Sequence, residues 1–430
     1  MSQTEQVKKI LDEHTSADGL INIKGVDIEG RATPRLLQAY LSPLLSGPLT
    51  AGDLAANIRK VQSSLYSLEV FKDVNLTLTQ DGVIKILLPS VNKFVARVGT
   101  NVGQSEGSGY VKGICRNPFG YGEIISVDAS HGTRTTSSHL LSASIPIPHP
   151  KFVGIRSEAL LYSSHKLYDW ASSSAHIRGA TVKLQEVLQN AQNSRFSVGF
   201  ETVLRTLSAK TASLSRSIRN EVGNSFKFSA FFNYQKTFGV YTQPYDFSNN
   251  GTLIKCQNEV AFPSSTFPFA KSTLQINNAF PLYKSITASI NSKLGILLPL
   301  NKDGKTSILD RFNLGGPLDL RGFKLSHVGP HDEGDALGGE LLAATGFSVY
   351  TPFKFKNAES CFRIHNFVTC GVLSPLKPTA VPLPSVSTGF GVVYASSAAR
   401  IELSFALPIV ARVDELVQKG LVFGVGLDFL

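Results

Sequence analysis

From Lys93 to the end of the chain, apolar residues alternate with small or polar ones in one short run after another. A period of two puts successive side chains on opposite faces of a strand, so this stretch admits sheet and disfavours helix. Between Arg400 and Leu407, the residues Ile401, Leu403, Phe405 and Leu407 point one way and Arg400, Glu402, Ser404 and Ala406 the other. Phe196, Val198, Phe200, Thr202 and Leu204 alternate likewise with Arg195, Ser197, Gly199, Glu201 and Arg205. In the last run Leu421, Phe423, Val425, Leu427 and Phe429 share a face, against Val422, Gly424, Gly426, Asp428 and Leu430. Charges keep to one side, as a strand between lipid and water requires.

Sixteen such runs can be read: 93–102, 109–117, 122–131, 136–146, 152–164, 175–187, 194–206, 223–236, 251–262, 270–281, 284–298, 338–350, 360–373, 386–395, 399–410 and 420–430. An even number of strands of roughly ten residues predicts a mainly β chain, a 16-stranded antiparallel transmembrane β-barrel over 93–430. The charged fraction of 17% and the mean hydropathy of +0.04 suit a wall with one lipid face and one polar face. The longest charge-free stretch, 378–399, has the length of a membrane helix, but Pro378, Pro382 and Pro384 make it a loop followed by a strand.

The alternation is interrupted once at length, between Asn301 and Leu337. A loop of that size inside a compact domain is either functional or disordered. This one is organised around Leu314-Gly315-Gly316-Pro317-Leu318-Asp319-Leu320-Arg321-Gly322-Phe323, in which glycines and a proline fix a turn that projects an apolar-flanked arginine.

Residues 1–20 are mostly polar and read as an N-terminal extension. From Ile21 a strand to Ile28 is followed by two helices and two strands. Thr33 before Pro34 predicts a cap and a first helical position, opening a helix over Pro34–Leu45. Thr50 with Asp53 three residues on opens a second helix, with Leu54, Ile58, Val61, Leu65 and Leu68 at helical spacing. Val70–Thr79 and Val83–Leu88, split by Gln80-Asp81-Gly82, read as a hairpin. A small α+β domain over 21–92 is expected.

Residues 1–20 carry two basic and four acidic side chains and 21–92 seven and six, so the basic excess (42 Lys+Arg against 32 Asp+Glu) lies in 93–430. No nucleic-acid motif or basic helix accompanies it, and a cationic interior or an interface with anionic lipid headgroups is the expectation. Cys115, Cys256, Cys361 and Cys370 form neither a disulfide framework nor a metal spacing. Gly103-Gln104-Ser105-Glu106-Gly107 matches a nucleophile-elbow pattern, but strand follows strand there, so it reads as a hairpin turn. His331, Asp332, Glu333 and Asp335 read as a solvated acidic turn, since hard cations need more oxygen ligands in order. His131, His139, His149 and His165 have no ligand spacing. No catalytic constellation, metal site or cofactor site is found, and the chain is expected not to be an enzyme. The N-terminus has neither a secretory signal nor a transit peptide, which favours a eukaryotic organelle outer membrane over a bacterial one.

The arginine turn, Leu337-Gly338-Gly339-Glu340, the Gly389–Tyr394 run, Arg400-Ile401-Glu402-Leu403 and the glycine-containing last strand together resemble the outer-membrane β-barrel insertase superfamily. Within it the chain is most similar to the barrel subunit of the mitochondrial sorting and assembly machinery, over nearly all of Ile21–Leu430. The segment 21–92, through Ser64–Val74, resembles a single polypeptide-transport-associated (POTRA) domain, which a plain metabolite porin would not need. The resemblance implies a mitochondrial outer-membrane barrel with its N-terminal domain in the intermembrane space. It further implies β-barrel precursors as substrates, accessory subunits and membrane lipids as partners, and no nucleic acid.

It also implies that the loop carrying Gly315, Gly316, Leu320, Arg321, Gly322 and Phe323 folds into the lumen, with Arg321 meeting Glu340 or Glu402. A lateral gate would lie between the first and last barrel strands, at Val95, Arg97, Gly99 and Asn101 on one side and Phe423, Gly424, Val425, Gly426, Leu427 and Phe429 on the other. Glycine, Gly103 included, weakens pairing there. The family's substrate signal is only partly matched by this chain's own last strand, whose polar position holds Val422. The rival readings are a passive outer-membrane pore and an organelle outer-envelope translocation channel.

Overall fold

In the computed structural model, residues 20–21, 23–30, 33–45, 47–79, 82–103, 106–149, 152–186, 194–211, 214–241, 247, 250–283, 285–353, 361–378, 382–396 and 400–426 are described. The N-terminal region holds β1 (Leu20–Ile21), β2 (Gly25–Gly30), α1 (Pro34–Leu45), β3 (Leu49–Thr50), α2 (Ala51–Tyr66), β4 (Asn75–Leu78) and β5 (Val83–Leu88). β5 is central, parallel to β2 and antiparallel to β4. The Thr50 hydroxyl accepts from the Asp53 backbone N–H at 3.2 Å, which caps α2. Leu54, Val61 and Leu65 of α2 then close a core with Leu36, Leu44, Ile84 and Ile86.

Thr33 behaves differently from the expected cap. Its hydroxyl is buried with no partner among the described residues, while its N–H donates to the Gly120 carbonyl at 3.0 Å. Docking against the following sheet has taken over the residue that would have capped α1.

That sheet is antiparallel throughout. Its strands are β6 (Phe94–Gly103), β7 (Glu106–Arg116), β8 (Ile124–Gly132), β9 (Thr135–Pro146), β10 (Ile155–Tyr168), β11 (Ser173–Glu186), β12 (Ser194–Ala209) and β13 (Gly223–Val240). It continues through β14 (Asn250–Ala261), β15 (Phe269–Tyr283) and β16 (Ile286–Pro299). After a small hairpin, β17 (His331–Asp332) and β18 (Asp335–Ala336), it resumes with β19 (Leu341–Pro352), β20 (Phe362–Ser374), β21 (Ser385–Ala395), β22 (Arg400–Val410) and β23 (Gly420–Gly426). The sixteen strands from β6 to β23, the small hairpin apart, pair in chain order. Each of the sixteen runs read from the sequence falls on one of them.

Leu403, Phe390, Phe200 and Val98 are exposed on the outer face, and Glu402, Arg205 and Ser387 are buried on the inner one. No helix among the described residues is long and apolar enough to cross a membrane. The pairing ends at β6 on one side and β23 on the other, and these two strands approach within 8 Å between Cα atoms. Among the described residues no backbone ladder joins them.

Arg156, buried at the start of β10, ties the sheet to the N-terminal region. It donates to the Leu68 carbonyl (3.2 Å), the Gly122 carbonyl (2.9 Å) and the Ser144 hydroxyl (2.7 Å). Arg156→Ala strands two buried carbonyls, a loss of about 2–6 kcal/mol at roughly 1–3 kcal/mol per unsatisfied group. The expected result is faster amide exchange over residues 65–72 with exchange in β12–β15 unchanged. Equal exchange in variant and parent would remove Arg156 as the tie.

Candidate functional site: the loop on the inner face and the two edge strands

The segment 300–340 joins β16 to β19 and folds along the sheet's inner face. Its apolar residues Phe312, Leu314, Leu320, Phe323 and Val328 form one cluster with Leu297, Leu342 and Leu373 of the wall. The wall makes room for them: a Cβ on Gly295 would stand 2.6 Å from the Phe312 ring, and one on Gly371 2.6 Å from Leu314. The turn itself requires glycine, because Gly315 has φ +114° and Gly322 φ +83°, where a Cβ is strained.

Arg321, 1% exposed, projects from this turn onto Glu402 of β22. Its Nε donates to Oε1 at 2.7 Å and its Nη2 to Oε2 at 3.1 Å, a bidentate fork. Arg400 Nη2 donates to Oε2 at 3.0 Å, and the Ser404 hydroxyl to Oε1 at 2.7 Å. His365 Nδ1 lies 3.1 Å from Oε1, and a carboxylate only accepts, so the proton sits on Nδ1. Nε2 is then left to accept from Ser348 Oγ at 2.9 Å. The Arg321 guanidinium lies 4.7 Å from the centre of the Phe367 ring, and Arg400 5.1 Å from that of Tyr350. One carboxylate thus holds two arginines and a histidine in a dry site.

Of the two acceptors considered for Arg321, Glu340 is engaged elsewhere. It accepts from the Thr306 hydroxyl (2.7 Å) and the Leu376 N–H (2.9 Å), and Arg311 Nε lies 3.7 Å away. Three further anchors hold the loop. Arg205 Nη1 lies 2.8 Å from both oxygens of Asp310. Arg311 pairs with Glu221, whose carboxyl is pushed above its ordinary pKa by burial, the arginine opposing that rise. Glu415 accepts from the Gly329 N–H at 3.1 Å and from the Ser385 hydroxyl. The acidic turn at 331–335 is not simply solvated: Asp335 is buried and accepts from the Ser215 N–H at 2.9 Å, and Asp332 from that of Ser217 at 3.0 Å. Burial at Ser215 shuts its amide off from water, and Asp335 supplies the acceptor, whereas the Ser217–Asp332 contact stays open to solvent.

The loop also meets the last strand. Phe323 and Val417 form an antiparallel bridge, and the Gln418 N–H donates to the Gly322 carbonyl at 2.8 Å. Leu318 occupies the space beside Gly426, 3.0 Å from where a Cβ would stand. Gly424 lies opposite Glu402 and Gly426 opposite Arg400. On the other edge, Val95, Arg97, Gly99 and Asn101 of β6 pair with Ile114, Lys112, Tyr110 and Ser108. Leu427 and Phe429 lie outside the described residues, as does Ser105 of the Gly103–Gly107 turn, where β6 passes directly into β7. Among the described residues no cluster suited to a metal ion occurs.

A family model for the Omp85 superfamily domain matches residues 117–429. A sorting and assembly machinery component 50 homologue of Bos taurus is 30% identical, the alignment covering 79% of this chain and 74% of that protein. The chain belongs to the Sam50 family of the Omp85 superfamily. A SAM50-like protein of Schizosaccharomyces pombe is 28% identical over 99% of this Sam50-family chain and 94% of its own length. The crystal structure of BamA from Haemophilus ducreyi lacking POTRA domains 1–3 is similar in fold, with a TM-score of 0.77 at 14% identity, covering 94% of this chain and 85% of that one.

Sequence reading had singled out Arg321, Glu340 and Glu402 but missed Arg400, His365, Asp310 and Glu415. Arg400 was legible in part, since it shares the polar face of β22 with Glu402. Asp310 and Glu415 sit on irregular segments, where no periodicity tells which way a side chain points.

Proposed function

We propose that this Sam50-family barrel inserts and folds β-barrel precursors into the mitochondrial outer membrane, with β6 and β23 as a lateral gate. The observation that carries the reading is the pair of edge strands lying side by side without a ladder among the described residues. A precursor strand entering lipid exposes amides and carbonyls that cost several kcal/mol each when unpaired. An edge strand satisfies them by β-augmentation. Leu318 against Gly426, and the bridge from Phe323 to Val417, give the loop a grip on the strand that would part. Residues 21–92 act as a POTRA-like domain on the intermembrane-space side, handing over precursors with accessory subunits. A passive pore is disfavoured by a loop packed along the inner face through buried ion pairs.

The test places single cysteines at residues 95–101 and 421–426, in a protein lacking its native cysteines. Each is crosslinked to a stalled precursor with a cysteine in its final strand. Adducts are expected at alternate positions on both edges and are expected to fade when the precursor's C-terminal signal is mutated. Adducts confined to the inner face of middle strands would instead mean passage through the pore.

A further inference from the structure

Most of the outer face is apolar, but one part of it is not. His139 of β9, His165 of β10, and His176 and Arg178 of β11 lie on the outward side of neighbouring strands. The register sets them together, with His165 opposite His176, and with Ser163 opposite both His139 and Arg178. Leu161 and Val182, exposed on the same strands at the same parity, fix this side as the outer one. His139 and His165 have no ligand spacing in sequence, because the pairing of strands and not their spacing unites them.

Arg178 is exposed, and among the described residues it makes no ion pair. Its Nε reaches only His176 Nε2, at 3.5 Å. His176 Nε2 lies 3.2 Å from Ser163 Oγ, and His165 Nδ1 is 2.6 Å from the Thr136 hydroxyl. Among the described residues no carboxylate pairs with the group; Asp128, which also lines the hollow, is taken by Lys112 at 2.8 Å. An unpartnered guanidinium on a lipid-facing wall is unfavourable unless an anion or headgroup water meets it.

Beneath it the wall is hollow. A cavity of ≈ 770 Å³ opens on the outer face, its polar rim made by His139, Ser163 and Arg178. Its floor is apolar, with Leu141, Leu161 and Leu204 around the small side chains of Ala180 and Thr202. Those small residues sit side by side across the β11–β12 pairing, which is why the wall dips there. The cluster lies toward the end of the strands where the loop 300–340 enters, opposite the N-terminal region. It marks the change from an apolar to a polar outer surface: along β11, Ala180 and Val182 lie on one side of Arg178 and His176 on the other.

We propose that this hollow is a binding site for one anionic phospholipid. The phosphate sits between Arg178 and His139, with the Ser163 hydroxyl as a further donor, and an acyl chain lies over Leu141, Leu161 and Leu204. A guanidinium presents paired donors to phosphate oxygens, and an imidazole N–H adds one more. The apolar floor is what separates a lipid from free phosphate as the occupant. The inference rests on the reading of the sheet as a membrane barrel, and not on precursor insertion or the gate.

The delipidated full chain, reconstituted in phosphatidylcholine nanodiscs containing a minor fraction of phosphatidic acid, is released and weighed by native mass spectrometry. One retained phosphatidic acid is expected for the parent. Arg178→Gln should lower that retention at least tenfold, and Arg178→Lys less. Ala180→Phe fills the hollow while leaving every charge in place, and should also abolish retention. Millimolar inorganic phosphate should displace nothing. Circular dichroism and heat-dependent gel mobility check that each variant keeps its sheet. Equal retention in Arg178→Gln or Ala180→Phe would overturn the site, as would displacement by inorganic phosphate. Failure of the parent to enter nanodiscs at all would instead strike the membrane reading. Precursor assembly, measured separately, reports on the gate alone.

Discussion

Glu402→Ala is expected to release the loop 300–340 from the inner face and to reduce precursor assembly at least tenfold. The carboxylate accepts both donors of the Arg321 fork, one from Arg400 and one each from Ser404 and His365. Without it, two guanidiniums about 1% exposed face each other with their shared anion gone. Breaking a buried ion pair from one side costs about 3–5 kcal/mol, because the charge left behind cannot be rehydrated in place. Arg321→Ala is the milder change, since Glu402 keeps Arg400 and the loop keeps its apolar contacts through Leu320 and Phe323. The loop is expected to be cleaved by protease in the order Glu402→Ala, then Arg321→Ala, then parent, and assembly of a labelled precursor in isolated mitochondria to fall in the same order. A protected loop and normal assembly in Glu402→Ala would refute the central role given to this carboxylate.

Locking the edge strands together should have an effect as large by another route. Cysteine pairs joining position 95, 97, 99 or 101 of β6 to one of 421–426 of β23 can form a disulfide where the Cα atoms come within about 4.4–6.8 Å. The 8 Å approach of the two strands brings some pairs near that range. The native cysteines are replaced first, above all Cys115, which lies opposite Phe94 on the strand beside the edge. Oxidation is expected to stop insertion nearly completely, and reductant to restore it. Insertion by the locked protein at the rate of the reduced one would rule out parting of these strands as a required step.

Strand number and face were legible because a wall between two solvents must alternate, and every strand carries that record in its own residues. Segments 175–187 and 251–262, whose alternation is broken by polar outward residues such as His176 and Arg178, fall on β11 (Ser173–Glu186) and β14 (Asn250–Ala261). Ends were less legible. β13 runs to Val240, past the expected 236, because strand length beyond the bilayer is set by pairing with β14 rather than by hydropathy. The loop's importance was readable from its glycines and the apolar-flanked Arg321. Its path was not, since Glu402, Glu340 and Asp310 are equally acidic on paper and only the folded chain brings one of them to Arg321. The glycines of the last strand had suggested weak pairing, and Gly426 has a second reason to be small, the Leu318 side chain beside it.

The partners of the arginine turn lie late in the chain, and this imposes an order on the protein's own maturation. Arg321 waits for Glu402, 81 residues on, and Gly329 for Glu415, 86 residues on. Phe323 cannot bridge to Val417 before the final turn is made. Contacts at such separation are slow to form, because chain entropy is spent before they repay it. A half-imported chain therefore holds the loop only by its earlier anchors, Asp310 on Arg205, Arg311 on Glu221 and Asp335 on Ser215, with the arginine turn unfastened until the last two strands are in place. A chain truncated before β22 is expected to keep most of its strands and the earlier anchors while leaving the arginine turn open to proteases.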